Sequence, residues 1–137
     1  MKKLLVHEGI GMALDALRGE RIELGAISRL PHRLAVKQVQ STGLDRFMSV
    51  LSATPEGEAW APDLRVQQCL AFLETGGRDC AFISGERRDR GILAARGLTV
   101  FAAAWAAGGE EAPDPIRSPS QMLEVVLRSW RGRALNS

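Results

Sequence analysis

Glu8 and Glu86 are the carboxylates whose surroundings in the chain best suit chemistry. Glu8 comes just after the apolar run Leu4-Leu5-Val6, and Glu86 just after Cys80-Ala81-Phe82-Ile83. A helix-forming segment follows each, so both are expected at the C-terminal ends of buried strands. Open α/β sheets gather their sites at those ends. Acidic groups converging there from different strands hold magnesium or manganese, which orients a phosphodiester and lowers the pKa of an attacking water. Glu8 and Glu86 are therefore the expected metal ligands if their strands are neighbours. Asp63 is the third candidate catalytic carboxylate, beside Glu8 and Glu86. His7, Ser84, Arg87 and Arg88 are the candidate substrate-binding groups, the two arginines holding phosphate. The ordinary reading of each Glu is a solvated residue or a helix-dipole partner, and that of Asp63 is a helix N-cap.

Other chemistries fit less well. Gly9-Ile10-Gly11 follows the first apolar run, but Leu14 stands where a dinucleotide fingerprint needs its third glycine, and the chain has no phosphate-loop Gly-Lys-Ser or Gly-Lys-Thr. It also lacks a Gly-x-Ser-x-Gly elbow, and its only histidines are His7 and His32. Cys69 and Cys80 form no zinc spacing and are expected to be buried and reduced.

Composition bounds the remaining classes. The 137 residues allow one core, and 45% hydrophobic with 25% charged residues is the balance of a globular protein. A single α/β domain over residues 1–137 is expected. Eighteen Lys and Arg against sixteen Asp and Glu leave a formal charge of +2, too little to bind nucleic acid by bulk charge. A basic surface would have to be local, and Arg117, Arg128, Arg131 and Arg133 supply a candidate edge for RNA phosphates. Four Phe, three Trp and no Tyr argue against a base-stacking platform. Trp60, Trp105 and Trp130 are candidate anchors for a protein partner. No apolar run is long enough to cross a bilayer, and His7 and Glu8 interrupt the opening run, so a cytoplasmic location without membrane contact is expected.

The elements that must position these groups follow from periodicity. Ile10, Ala13, Leu14 and Leu17 mark a helix, stopped at Gly19. Residues 21–27 alternate as a strand does. Pro31 leaves residues 28–40 open between strand and helix. Leu44, Phe47, Met48 and Leu51 have helical spacing, and residues 54–62 read as an exposed loop. Val66, Cys69, Leu70 and Leu73 form the stripe of a helix that opens at Asp63 and ends at Gly76-Gly77. A strand at 80–83, a helix ended by Gly97 and a strand at 98–101 come next. Residues 107–119 are expected outside the regular layers. Ser118-Pro119-Ser120-Gln121 has capping-box spacing and opens a last helix with Met122, Val126 and Trp130 facing inward. Strands separated by helices imply parallel pairing, hence a three-layer sandwich with a mainly parallel sheet of four or five strands.

Two patches carry a family resemblance. Leu5-Val6-His7-Glu8-Gly9-Ile10 resembles the opening of PIN-like ribonuclease-fold proteins, and Phe82-Ile83-Ser84-Gly85-Glu86-Arg87-Arg88 with Arg96-Gly97-Leu98-Thr99-Val100 resembles their later strand and helix. His7 stands where that family carries its central metal-binding Asp, and Glu86 where it carries a second. The resemblance implies a magnesium- or manganese-dependent phosphodiesterase acting on RNA, divergent or degenerate at its first strand. The alternative from another class is a non-enzymatic protein-interaction or regulatory α/β domain.

Overall fold

In a computed structural model the described residues are 10–103, 112 and 115–136. The expected strand at residues 4–6, with His7 and Glu8, lies outside them. Helix α1, Ile10–Gly19, is followed by strand β1, Gly25–Ser28, helix α2, His32–Ser41, and a short 3-10 turn, Leu44–Phe47. Strand β2, Val50–Ala53, leads to helix α3, Pro62–Phe72, and a second 3-10 turn, Gly77–Asp79. Strand β3, Ala81–Ser84, helix α4, Arg87–Ala95, strand β4, Thr99–Ala102, and helix α5, Pro119–Asn136, complete the order.

The α/β class and the parallel pairing are as the periodicity predicts, but the sheet is different. The described strands form two parallel pairs, β1 with β2 and β3 with β4, not one sheet of four or five. Gly25 lies opposite Val50 and Ala81 opposite Thr99 in the two registers. A Cβ at Gly25 would stand 3.0 Å from Val50 Cγ1, so a side chain there would press on β2. Helix α3 packs on β1 and β2, α4 packs on β3 and β4, and these two helices touch. Leu14, Leu17, Phe47, Ile116, Met122 and Val126 form the buried cluster between α1 and α5, with Ile83 and Phe101 packed against it. The β3–β4 pair is thus covered from two sides.

Several boundaries moved for physical reasons. Residues 21–24 stay outside β1 because the chain leaves α1 through Arg21 at φ 61 and returns the Ile22 N–H to Leu17 O. Residues 44–51 split into a 3-10 turn and a strand, since the Ser49 N–H donates to Leu24 O at 2.7 Å and draws the next residues into register with β1. Tertiary pairing outweighs a four-residue helical pattern. The open segment 28–40 resolves into α2 with Pro31 at its N-cap. Asp63 is not an N-cap: Ala61 holds that position and Pro62 the first helical one. Helix α3 ends at Phe72, ahead of the two glycines, and Glu74 takes the left-handed conformation at φ 54. Gly97 does turn the chain after α4, at φ 86.

Within 107–119, Pro115 and Ile116 are buried and Ile116 bridges Ala103, so this end of the segment belongs to the packed structure. Ser118 Oγ accepts the Gln121 N–H at 3.1 Å, while Gln121 Oε1 reaches back to the Arg117 N–H at 2.7 Å, one residue beyond the reciprocal capping-box bond. Met122 and Val126 are buried as expected. Arg117 is exposed and Arg128 pairs with Glu124 at 2.7 Å. Trp105 and the side chains of Trp130, Arg131 and Arg133 lie outside the description. Cys69 is buried, whereas Cys80 is only half-buried. Among the described residues no helix is long and apolar enough to cross a membrane.

Candidate functional site at the strand carboxyl ends

Strands β1 and β3 end in the same way. Ser28 Oγ accepts the Leu30 N–H at 3.1 Å, and Ser84 Oγ accepts the Glu86 N–H at 3.0 Å. Each hydroxyl is fixed by the amide two residues on, with its own proton left to donate. Thr54, just beyond β2, ties the first turn in place by donating its hydroxyl to Ser28 O at 2.9 Å.

The two turns are joined by charge. Arg29 follows Ser28, and its Nη2 donates to Asp89 Oδ2 at 3.2 Å and Oδ1 at 3.4 Å across 60 positions of sequence. The same nitrogen lies 3.9 Å from Glu86 Oε2. Trp60 Nε1 donates to Asp89 Oδ1 at 2.9 Å, and the Arg29 guanidinium lies 4.9 Å from the centroid of the Trp60 ring, within cation–π range. Asp89 is 4% exposed, and a carboxylate so buried requires both partners. It also sits in the first turn of α4, where the helix dipole favours negative charge. Glu86, at the N-cap of α4, stays half exposed. Both bonds to Asp89 use Nη2; among the described residues the Nη1 and Nε donors of Arg29 make no hydrogen bond.

Among the sequence-predicted site residues the structure brings Ser84 and Glu86 to one turn, with Arg87 and Arg88 exposed behind them at the start of α4. Asp63 is elsewhere. Its Oδ2 takes the Arg96 Nη2 at 3.0 Å, and Arg96 caps the far end of α4, about 15 Å along the helix axis from Glu86. His7 and Glu8 are outside the described residues. Arg29 was missed because it stands in a segment without period; Trp60 was expected only as an anchor for a protein partner, and Asp89 only as a neighbour of the strand-end polar residues, without a role. The spacing of Glu86 and Asp89, three apart on one helical turn, was the available signal.

A cleft of about 520 Å³ adjoins this site, lined by His32, Arg33, Leu51, Thr54, Arg65 and Gln68 among others. Arg65 Nη1 donates to Ala53 O at 2.8 Å, and Gln68 Oε1 accepts from the buried Ser52 hydroxyl, which together fix the floor. Thr54 belongs to both the cleft and the Ser28 turn. Cys69, at the back of α3, carries a thiol pushed above its ordinary pKa by burial.

Glu86 is an expected ligand of magnesium or manganese, so the donors around it bear comparison with magnesium. Magnesium takes six oxygens in near-octahedral array, usually one or two of them carboxylates. Among the described residues no three His, Cys, Asp or Glu come together, and the Glu86 and Asp89 carboxylates face the Arg29 guanidinium. As arranged, these residues do not fit the ion.

No protein-family profile matches the sequence, and no curated protein sequence does either. Solved structures do. A "putative beta-phosphoglucomutase" from Thermotoga maritima superposes with a TM-score of 0.73 at 14% identity, over 89% of this chain and 60% of its own. A "putative phosphoglycolate phosphatase" from Lactobacillus delbrueckii subsp. bulgaricus gives 0.72 at 19% identity, over 87% of this chain and 52% of its own. Protein Tyrosine Kinase A of Mycobacterium tuberculosis gives 0.71 at 17%, over 89% and 61%. The chain thus spans between half and three fifths of the length of these neighbours. They overturn the PIN-like resemblance and, with it, the reading as an RNA nuclease; the non-enzymatic alternative is not favoured either. The two patches misled because an acid after a strand, followed by a helix and Arg-Gly-Leu, is what any parallel α/β unit with a strand-end site can display. Over nearly nine tenths of its length, this chain shares the α/β fold of these solved structures.

Proposed function

We propose that the chain is a phosphatase-type domain that binds and hydrolyses the phosphomonoester of a small acidic metabolite. The observation that carries this reading is the pair of matching serine turns at the ends of β1 and β3, bridged by Arg29. Two hydroxyl protons and a guanidinium are groups that hold phosphoryl oxygens. The neighbours named as mutase, phosphatase and kinase differ in reaction but share the phosphoryl group, which supports the same reading. The basic lining of the adjoining cleft, His32, Arg33 and Arg65 against Glu56, favours an anionic substrate body.

In this reading Arg29 and the Ser28 and Ser84 hydroxyls neutralise the charge that spreads over the phosphoryl oxygens, the main demand of phosphoryl transfer. Glu86, solvent-accessible at the turn, takes the proton of the attacking water as its oxygen bonds to phosphorus. The ester P–O bond breaks, and the leaving oxygen takes a proton from solvent. Asp89 touches no reacting atom; it is a positioning residue that holds Arg29. The test is hydrolysis of p-nitrophenyl phosphate and of phosphorylated sugars and hydroxy acids, with inorganic phosphate binding measured by calorimetry. Turnover together with a tenfold or greater loss of phosphate affinity in Arg29→Met is expected. Neither turnover nor phosphate binding at about 10 mM, an affinity weaker than roughly 3 kcal/mol, overturns the reading.

A further inference from the structure

The acid pair at the start of α4 is met by a residue of the chain itself. We infer that Arg29 is a built-in cation of this site, and that it and a divalent metal ion are mutually exclusive partners of Glu86 and Asp89. The inference stands on the geometry of these three side chains and not on the phosphatase-type reading.

Three observations carry it. First, Arg29 Nη2 lies 3.2 and 3.4 Å from the two Asp89 oxygens and 3.9 Å from Glu86 Oε2, so one nitrogen occupies the space between both carboxylates where a bridging ion would sit. A metal there needs its oxygens at about 2.0–2.6 Å and would bring a doubly positive charge against the guanidinium. The two cations cannot share the position. Second, the contact is loose. Its distances exceed the roughly 2.7–2.9 Å of a tight charge-assisted bond, and the Arg29 side chain is 54% exposed, so solvent can receive it when it leaves. Third, Asp89 Oδ1 already accepts the Trp60 N–H at 2.9 Å, which leaves this buried carboxylate short of lone pairs for a metal while Trp60 and Arg29 both hold it. The Trp60 ring centroid lies 4.9 Å from the guanidinium and adds to the preference for arginine. The remaining charged groups on this turn, Arg87, Arg88 and Arg90, are all cationic, and Arg90 is turned to Ser84 O at 3.1 Å; they add to the repulsion of a second cation.

The experiment is manganese binding to the full chain, followed by paramagnetic resonance of free Mn²⁺, with no substrate present. Arg29→Met is expected to bind Mn²⁺ at least tenfold more tightly than the unaltered chain, and Asp89→Asn added to Arg29→Met is expected to abolish the gain. Circular dichroism checks that each variant is folded. Should Arg29→Met not fold, Arg29→Lys, which keeps the charge but loses the planar fork and the ring stack, is expected to bind several-fold more tightly than the unaltered chain. Manganese is also expected to alter the fluorescence of the unaltered chain only at concentrations where it binds, and Trp60→Phe to remove that change. Equal or weaker Mn²⁺ binding in the folded Arg29 variant overturns the inference, as does tight binding to the unaltered chain that leaves the Trp60 signal still. Loss of phosphatase activity alone bears on the functional proposal and leaves this result unaffected.

Discussion

At the end of β1, Ser28 accepts the Leu30 N–H and the chain passes on through Arg29 to α2; at the end of β3, Ser84 accepts the Glu86 N–H and the chain passes to a helical turn holding Glu86 and Asp89. The two strand-turn-helix units share a backbone device and carry opposite charge. They also differ in how firmly their helices are held. Helix α4 buries Leu93 at 1% exposure and Asp89 at 4%, whereas α2 buries only Ala35 and leaves Leu34 42% exposed. The acid side of the site is therefore set in the packed structure, and the cation comes from the looser unit.

The packing contrast gives the largest expected effect. Leu93→Ala empties a site in the core and is expected to cost about 3 kcal/mol in urea denaturation, while Leu34→Ala stays within about 0.5 kcal/mol. Equal losses at the two positions would erase the contrast. Next comes the bridge between the units. Asp89→Ala strands the Trp60 N–H and releases Arg29 to water, and is expected to cost about 2 kcal/mol, discounted because Arg29 is half exposed. Asp63→Ala removes a more exposed pair with Arg96 and is expected to cost less than about 1 kcal/mol by the same measurement.

The shared device is tested by the matched changes Ser28→Ala and Ser84→Ala. Each removes one acceptor of a backbone amide and is expected to cost about 1 kcal/mol, with parallel losses of phosphate affinity by calorimetry. A loss confined to one serine would show that only one turn faces the ligand. The smallest effect concerns Cys69, on the helix that supports β1 and β2. Burial raises its folded pKa, so the folded state holds the thiol proton more firmly than the unfolded chain does. The associated stability is full below the ordinary value of 9.0 and is lost as pH rises above it. Cys69→Ala is expected to flatten the alkaline end of a stability profile by less than about 1 kcal/mol, and a thiol reagent is expected to label half-buried Cys80 first.

Much of the architecture was legible. The apolar run at 80–83, the stop at Gly97 and the strand at 98–101 signal β3, α4 and β4, because local propensity and burial agree there. Strand β2 was not, since its four residues follow a 3-10 turn whose spacing mimics a helix, and only the partner strand β1 identifies them. The strand-end position of Ser84 and Glu86 was readable for the same reason as β3 itself. Asp63 was misplaced because an acid early in a helix looks alike from sequence whether it caps the helix or pairs with a distant arginine.

By itself the sequence determined the α/β class, the parallel pairing and the turn that carries Ser84 and Glu86, because these rest on local periodicity and on contacts a few residues apart. Only the tertiary structure decided that Arg29 meets Asp89, that Trp60 supports both, and that Asp63 stands apart from them. Those pairings join residues 29 to 60 positions apart whose segments carry no period of their own. An ion pair or a ring stack leaves no mark on the chain around it, and the folding of two parallel units is what brings its members within reach.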